Sequence, residues 1–347
     1  MSRATPAIRS ALAQAAAVVD MTTPAGVRAA RNLARLLAQA DASLGARLHA
    51  EIARTGSADA RFTGASMVAY QAQVRVTVRY VEARLAGLTH EAAMSAVEAA
   101  VKHTGVTLAR LETAFTGISH TPISIAAASM MDPTRGLGAS LLRSNQTSAA
   151  RYGQAMTQTI EQHMRLGFVS GLSQAQMVDL LTGDGGPTGD VSMRARVVGG
   201  QVEVTSSEFI PEGLFVRHRY WAERIVRTET SNAYNGAKVE ALRAVRGDFP
   251  DIQKKILAYF DNRTAIDSVY VHGQVRDLDA MFVDGAAREY LHPPARPNDR
   301  ETVIPWREGW SEESDTRGLS AEGISREVAR IKARPRPARR VQARVRG

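Results

Sequence analysis

The sequence contains no cysteine, which excludes disulfides and thiolate metal sites and fits a reducing compartment. Aromatic residues are scarce, at 5% of the chain, while alanine is abundant. That balance disfavours a β-sandwich, whose strands draw on aromatic and β-branched side chains, and favours closely packed helices. No apolar run approaches the roughly 20 residues that a bilayer-spanning helix needs, so a soluble protein without membrane attachment is expected. Acidic residues are missing from position 330 onward. Arg330, Lys332, Arg334, Arg336, Arg339, Arg340, Arg344 and Arg346 stand there without a counter-charge, and these eight cations carry most of the net charge of +9. The rest of the chain is nearly neutral, so only the tail calls for a polyanionic partner such as double-stranded DNA, bound without sequence preference. Pro335 and Pro337 and a shortage of large apolar residues predict an extended, solvated tail.

What the sequence does contain is length enough, at 347 residues, for a large core and two domains. Residues 1–21 hold Arg3 and Arg9 ahead of an alanine-rich run, yet Thr5-Pro6 is a helix start and Gln14 interrupts the apolar stretch, so a helix is read rather than a targeting peptide. Thr23-Pro24 repeats the start signal. Val27, Leu33, Leu36, Leu37, Leu44 and Leu48 then form a broad stripe, predicting an amphipathic helix over 25–54 with Gly45 the place for a break. Further helices are predicted over 65–85, 89–115 and 137–168, separated by Gly87, by 117–122 and by Asp132-Pro133. Ser173-Gln-Ala-Gln176 has the form of a capping box and Gly183 that of a C-terminal glycine, so a short helix closes a helical domain, 1–182.

Past the glycine-rich loop 183–189 the period changes. Runs 191–198 and 201–206 flank Gly199-Gly200 and predict a hairpin. A long helix over 214–245, a helix over 251–259, a strand over 266–271 and a short element over 278–282 follow. The fold class read from this order is α+β: a mainly helical N-terminal domain, then a small α+β domain, 183–312, with a hairpin and a long polar-faced helix. Residues 313–347 complete the chain as a short helix over 320–332 and the basic tail.

The long helix organises the reading. Trp221, Ile225, Thr228, Asn232, Asn235, Val239 and Leu242 share one face, so apolar ends bracket a polar middle, with Arg227 and Glu229 beside it. A buried hydroxyl or amide without a partner costs on the order of 1–3 kcal/mol, so this face predicts polar partners elsewhere. The donor- and acceptor-rich segments 261–264 and 292–302 supply them. The predicted network is Arg227, Thr228, Glu229, Asn232, Asp261, Arg263, Asn298, Asp299 and Arg300, and a structural clamp is its simplest role.

These same segments carry a resemblance. Arg227-Thr-Glu-Thr-Ser-Asn-Ala-Tyr-Asn235, Asp261-Asn-Arg-Thr264, His272-Gly273-Gln274, Leu278-Asp279 and Arg296-Pro-Asn-Asp-Arg300, in this order and spacing, resemble the phage Mu F-type head morphogenesis (minor head) proteins over roughly 173–310. The resemblance implies a minor virion component, found with the portal protein and the major capsid or scaffolding protein in the inner capsid or portal region. It assembles in the host cytoplasm, is sometimes in contact with DNA, and is not generally a catalyst. Many members carry a cysteine pair after the Asp-x-Arg-Thr turn and a His-Pro-Asn-Cys-Arg-Cys loop, a set suited to zinc. Here the matching positions hold Ala265, Ser268, Arg296, Asp299 and Glu301, so no metal and no cofactor is expected, and an ion-pair network in their place is.

The rival class is a magnesium-dependent nuclease or other phosphoryl-transfer enzyme. Its base would be His272, with Asp277, Asp279 and Asp299 holding the ion, but a second histidine at nuclease-like spacing is missing. His292, ahead of two prolines, reads as a turn residue near a cis bond rather than a ligand. Trp306 and Trp310 are read as covering the edge of the small domain, and the outer stripes of the long helices leave oligomerisation open.

Overall fold

In the computed structural model, the residues described are 13–18, 20–55, 57–111, 121–183, 193–198, 201–206, 212–260, 264–297, 299–308 and 318–333. The protein is mostly helical with a small antiparallel sheet region, an α+β class. Its residues group into two compact units built from discontinuous segments: Pro24–Ala92 with Leu141–Val226, and Met1–Thr23 with Ala93–Ser140 and Arg227–Gly347. That partition differs from the linear one at residues 182 and 312.

The first unit is helical. Helix α1 (Pro24–Thr55) buries Leu33, Leu37, Leu44 and Leu48 completely, as the stripe predicts, and it runs unbroken through Gly45. Helix α2 (Gly64–Leu111) likewise passes through Gly87, where two helices were expected. An exposed glycine costs a helix only about 1 kcal/mol, and here buried Leu85, Thr89 and Ala93 on either side hold the chain in register, with the Thr89 hydroxyl donating to the Leu85 carbonyl at 2.7 Å. Helix α3 (Thr121–Met131), which belongs to the second unit, was not anticipated. Helix α4 (Gly136–Val169) adds Tyr152, Met156, Ile160 and Met164 to the first unit's core, and Phe62 meets Tyr70 with ring centroids 5.1 Å apart.

Helix α5 (Gln174–Thr182) has the predicted cap. The Ser173 hydroxyl accepts from the Gln176 N–H at 3.2 Å, and the Gln176 side chain accepts from the Ser173 N–H at 2.9 Å. Gly183 ends the helix at φ +70, and a Cβ there would fall 2.3 Å from the Glu212 backbone, so both conformation and close approach require glycine. The hairpin is as read, β1 (Met193–Val198) against β2 (Gln201–Ser206), with Val198 opposite Gln201. The helix expected over 214–245 is interrupted at His218, giving α6 (Leu214–Arg217) and α7 (Arg219–Ala244).

Asp41, buried in the middle of α1, is a feature no local pattern reveals. Its carboxylate accepts the N–H groups of Phe215 at 3.0 Å and Val216 at 2.9 Å, capping α6 from 174 positions away. Burial pushes its pKa up to about 6 despite those bonds. The folded protein therefore binds a proton between pH 3.8 and about 6 that the unfolded chain has released, so stability from this group falls as pH rises through that window. We expect the wild type to lose about 2 kcal/mol relative to Asp41→Asn between pH 4 and pH 7 in denaturant titrations. Parallel pH profiles for the two proteins would refute this burial.

The second unit contains the sheet, in the order β4 (Val275–Arg276), β3 (Gln253–Ala258), β7 (Glu301–Trp306), all antiparallel. Strand β3 lies where a helix was expected over 251–259. Ile252 and Ile256 imitate a helical stripe, but five of the six strand residues are buried, which a central strand covered on both faces produces. Helix α8 (Ile266–Val271) lies where a strand was expected over 266–271. Its β-branched residues lose to tertiary context: Ser268, Val269 and Val271 pack inward, and Asp267 in the first turn suits the positive end of the helix. The expected element over 278–282 is a turn leading into β5 (Phe282–Val283), which pairs with β6 (Glu289–Tyr290). Strand β7 was missed because it contains Pro305, which an edge strand accommodates. Helix α9 (Ala321–Lys332) starts on Ser320 as predicted and packs on α8.

Candidate functional site

Helix α7 brings Ser231, Asn235 and Lys238 onto one face at i, i+4 and i+7, and this face lies against strand β7. Asn235 is fully buried. Its amide nitrogen donates to the Ser231 carbonyl at 3.1 Å and the Glu301 carbonyl at 3.4 Å, while its oxygen accepts from the Val303 N–H at 3.0 Å and the Thr302 hydroxyl at 3.1 Å. Every hydrogen-bonding group of the amide is thus used. Lys238, also buried, donates to the Thr302 hydroxyl and the Val303 carbonyl, each at 3.0 Å, and its ammonium lies 4.5 Å from the Tyr234 ring centre. Desolvation without an opposing carboxylate depresses its pKa to about 7. Tyr234 continues the seam by meeting His103 Nδ1 at 2.8 Å. Burial holds the His103 pKa down near 4 and raises that of Tyr234, so a neutral imidazole and a neutral phenol share this hydrogen bond.

The predicted network is distributed differently. Glu229 is buried, whereas Arg227, Thr228 and Asn232 are half-buried, and the Asn232 side chain makes no hydrogen bond with a described residue. Asp261, Arg263 and Asn298 lie outside the described residues. Asp299 and Arg300, adjacent in sequence, serve separate clusters. Arg300 pairs with Asp20 at 2.8 Å and covers the Tyr259 ring at 4.7 Å. Asp299 accepts from the Arg296 backbone N–H at 2.8 Å and pairs with its guanidinium at 2.8 Å.

Arg296 is the centre of the second cluster. It reaches Asp267 at 2.8 Å and the Ser268 hydroxyl at 3.0 Å, and Asp267 is shared with Arg288, which also holds buried Asp284. Glu301, buried beside them, accepts from the Tyr290 hydroxyl at 3.1 Å and from Ser268. Burial, and then the charge of Asp299, push Glu301 up to about 7, and burial likewise raises Asp299. Ala265, Ser268, Asp299 and Glu301 line one cavity of about 20 Å³, room for a water molecule. The five positions singled out by the resemblance therefore converge. They do not suit zinc: alanine has no donor atom, a guanidinium repels a cation, and among the described residues no group of three His, Asp or Glu is placed to hold a metal.

His272 is occupied. Its Nδ1 accepts the Ala258 N–H at 3.0 Å, its ring meets that of Phe260 at a tilt with centroids 4.7 Å apart, and it is buried at the end of α8. Asp277 accepts from Gln253 at 3.0 Å, and exposed Asp279 pairs with Arg243 at 2.6 Å and Arg246 at 3.1 Å. Each acid of the nuclease reading thus has its own cation or amide. His292 hydrogen-bonds the Pro293 carbonyl at 2.9 Å next to a cis Pro293-Pro294 bond, and it packs on Gly236, where a Cβ would fall 3.2 Å from its ring. Trp306 is half-buried beside Lys255, and Trp310 lies outside the described residues.

Sequence reasoning missed three buried lysine and serine positions that matter here, Lys238, Lys254 and Ser231. Lys254 on β3 acts as a strut, donating to the carbonyls of Leu278 at 2.9 Å and Leu291 at 2.7 Å and so fixing two loops to the sheet. For Lys238 the available signal was its place between Ala237 and Val239; Lys254, between Gln253 and Lys255, offered none. Compared with known proteins, the chain matches no family model, no curated protein and no solved structure.

Proposed function

We propose that this protein is a structural component of a phage-type head, a minor head protein that works with portal and capsid or scaffolding proteins during assembly and DNA packaging. The observation that carries the reading is the convergence of residues 265, 268, 296, 299 and 301. They were singled out by their place in the motif order alone; four of them, 265, 268, 299 and 301, line one cavity, Arg296 bonds Ser268 and Asp299 beside it, and this ion-pair cluster takes the role a metal clip has in the resembled family. Arg296 and Asp267 hold the loop to α8 by charge, which fixes geometry and needs no bound group. The nuclease reading has less support, because His272 uses Nδ1 to accept a backbone N–H and its proposed acidic partners are engaged elsewhere. No described helix is long and apolar enough to cross a membrane. In this reading the tail from Arg330 to Arg346 contacts double-stranded DNA non-specifically; Arg330 and Lys332 close helix α9 rather than extending, with Arg330 paired to Glu327 at 2.7 Å, and the residues from 334 onward lie outside the described ones.

Mass spectrometry of purified particles and assembly intermediates tests the assignment. The chain should co-purify with portal and capsid proteins, and its absence from both preparations would overturn the reading. For the tail, duplex binding by the full chain should weaken with salt more steeply than binding by a chain ending at Ala329. The difference in log–log slope should be about 5, for five or six phosphate contacts. Equal slopes would rule out the tail as a DNA contact.

A further inference from the structure

The near-neutral sum of the body hides a segregation of charge. In the second unit the described arginines are largely matched: Arg243 and Arg246 to Asp279, Arg288 and Arg296 to Asp267, Arg300 to Asp20, Arg307 to Asp251. On the N-terminal part of α1, in the first unit, the pattern reverses, although Arg54 near its end pairs with Glu51. Arg28, Arg31 and Arg35 are exposed and make no ion pair among the described residues. Between positions 24 and 50 the one acid is Asp41, and its carboxylate is buried against the Phe215 and Val216 N–H groups. At 100° per residue, Arg28, Arg31 and Arg35 lie within about 60° of one another on the pole opposite Leu33, Leu37 and Leu44. They are spaced about 4.5 and 6 Å along the axis.

We propose that this ridge is a second polyanion contact, seating on the phosphate backbone of duplex DNA independently of the tail. Beyond Arg35 the same pole continues with exposed Gln39, Ala42 and Ala46. None of these carries a negative charge to repel phosphate, the two alanines are small, and the glutamine amide can itself donate to a phosphate oxygen. Charge decides the occupant. A protein partner needs apolar or aromatic anchors at the centre of its interface, and this pole has none, whereas phosphate binding requires only cations that release counterions. Arginine suits the task because its planar fork matches phosphate oxygens. The inference stands on α1 alone and goes beyond the head-protein assignment, which co-purification tests separately.

The experiment measures binding of a random-sequence duplex by the full chain across a potassium chloride series. Three proteins are compared: wild type, the triple variant Arg28→Gln, Arg31→Gln, Arg35→Gln, and a charge-matched control, Arg143→Gln, Arg151→Gln, Arg165→Gln. The control removes three exposed α4 arginines that are spread further apart along their helix. Glutamine keeps helix propensity, and circular dichroism with thermal melting confirms the fold. The ridge variant should flatten the log–log slope by about 3 and weaken binding roughly ten-fold or more at moderate salt, the control by less than about 1 in slope. A chain ending at Ala329 should retain a slope of about −3. An unchanged slope in the ridge variant, an equal loss in the control, or no salt dependence once the tail is removed would each overturn the proposal. So would loss of binding to an acidic protein with DNA binding intact.

Discussion

Between pH 7 and pH 10 the second unit should gain about 2–4 kcal/mol of stability, and Lys238→Met should remove most of that gain. The cause is the buried amine on α7. Its folded pKa is about 7, against 10.5 for the free side chain, so in this interval the unfolded chain holds a proton that the folded protein does not. Stability rises with pH wherever the unfolded state binds more protons, so raising the pH favours folding. As a neutral amine, Lys238 still donates to the Thr302 hydroxyl and the Val303 carbonyl. Lys254, depressed to about 8, adds a smaller rise of the same sign. The raised pKa values of Tyr234 and Tyr290 act the other way, and only above pH 10, which sets the upper end of the useful window. Denaturant titrations at several pH values settle the matter. Superimposable profiles for wild type and Lys238→Met would mean that the amine is hydrated and the seam is open to water.

Replacing Asn235 by leucine should cost about 3–4 kcal/mol, more than most single substitutions. Leucine is close in size, so the loss is not one of packing. It strands the Val303 N–H and takes away the nearer acceptor of the Thr302 hydroxyl, which keeps only a 3.4 Å contact with the Val303 carbonyl, both at buried positions of β7. Each buried donor left unmade costs on the order of 1–3 kcal/mol. Hydrogen exchange offers a second readout: the Val303 amide should lose protection selectively in Asn235→Leu. A cost under about 1 kcal/mol with Val303 still protected would show that α7 is not tied to β7 through this amide.

How these residues were read from sequence differs with the range of the interaction. The long polar-faced helix and Asn235 within it were legible, because a helical face follows from a period of 3.6 residues. Which polar residues on it are buried was not. Thr228 and Asn232 share the predicted face yet are half-buried, while Ser231 and Lys238, slightly rotated, are buried and Lys238 meets β7. A helical wheel sets relative angles, and only the neighbouring strand sets the zero.

Strand β3 and helix α8 exchanged identities for the same reason. Isoleucines four apart at 252 and 256, just before and within β3, and β-branched residues in α8 are weak local preferences, of a few tenths of a kcal/mol each. They are outweighed once β3 is covered on both faces and Asp267 at the start of α8 pairs with two arginines.

The sequence by itself determined the features whose energy is local. These are the amphipathic α1, the Ser173–Gln176 capping box with Gly183, the β1–β2 pairing, the Ser320 cap and the position of the basic tail, each written in residues a few positions apart. Tertiary structure alone decided the rest. Asp41 caps a helix 174 residues away, Arg300 pairs with Asp20 across 280, and residues 265 to 301 close around one cavity. It also decided which cations are spent in pairs and which, on α1, are left exposed. A buried polar group must find a partner wherever in the chain one exists, and that distance leaves no trace in the local pattern.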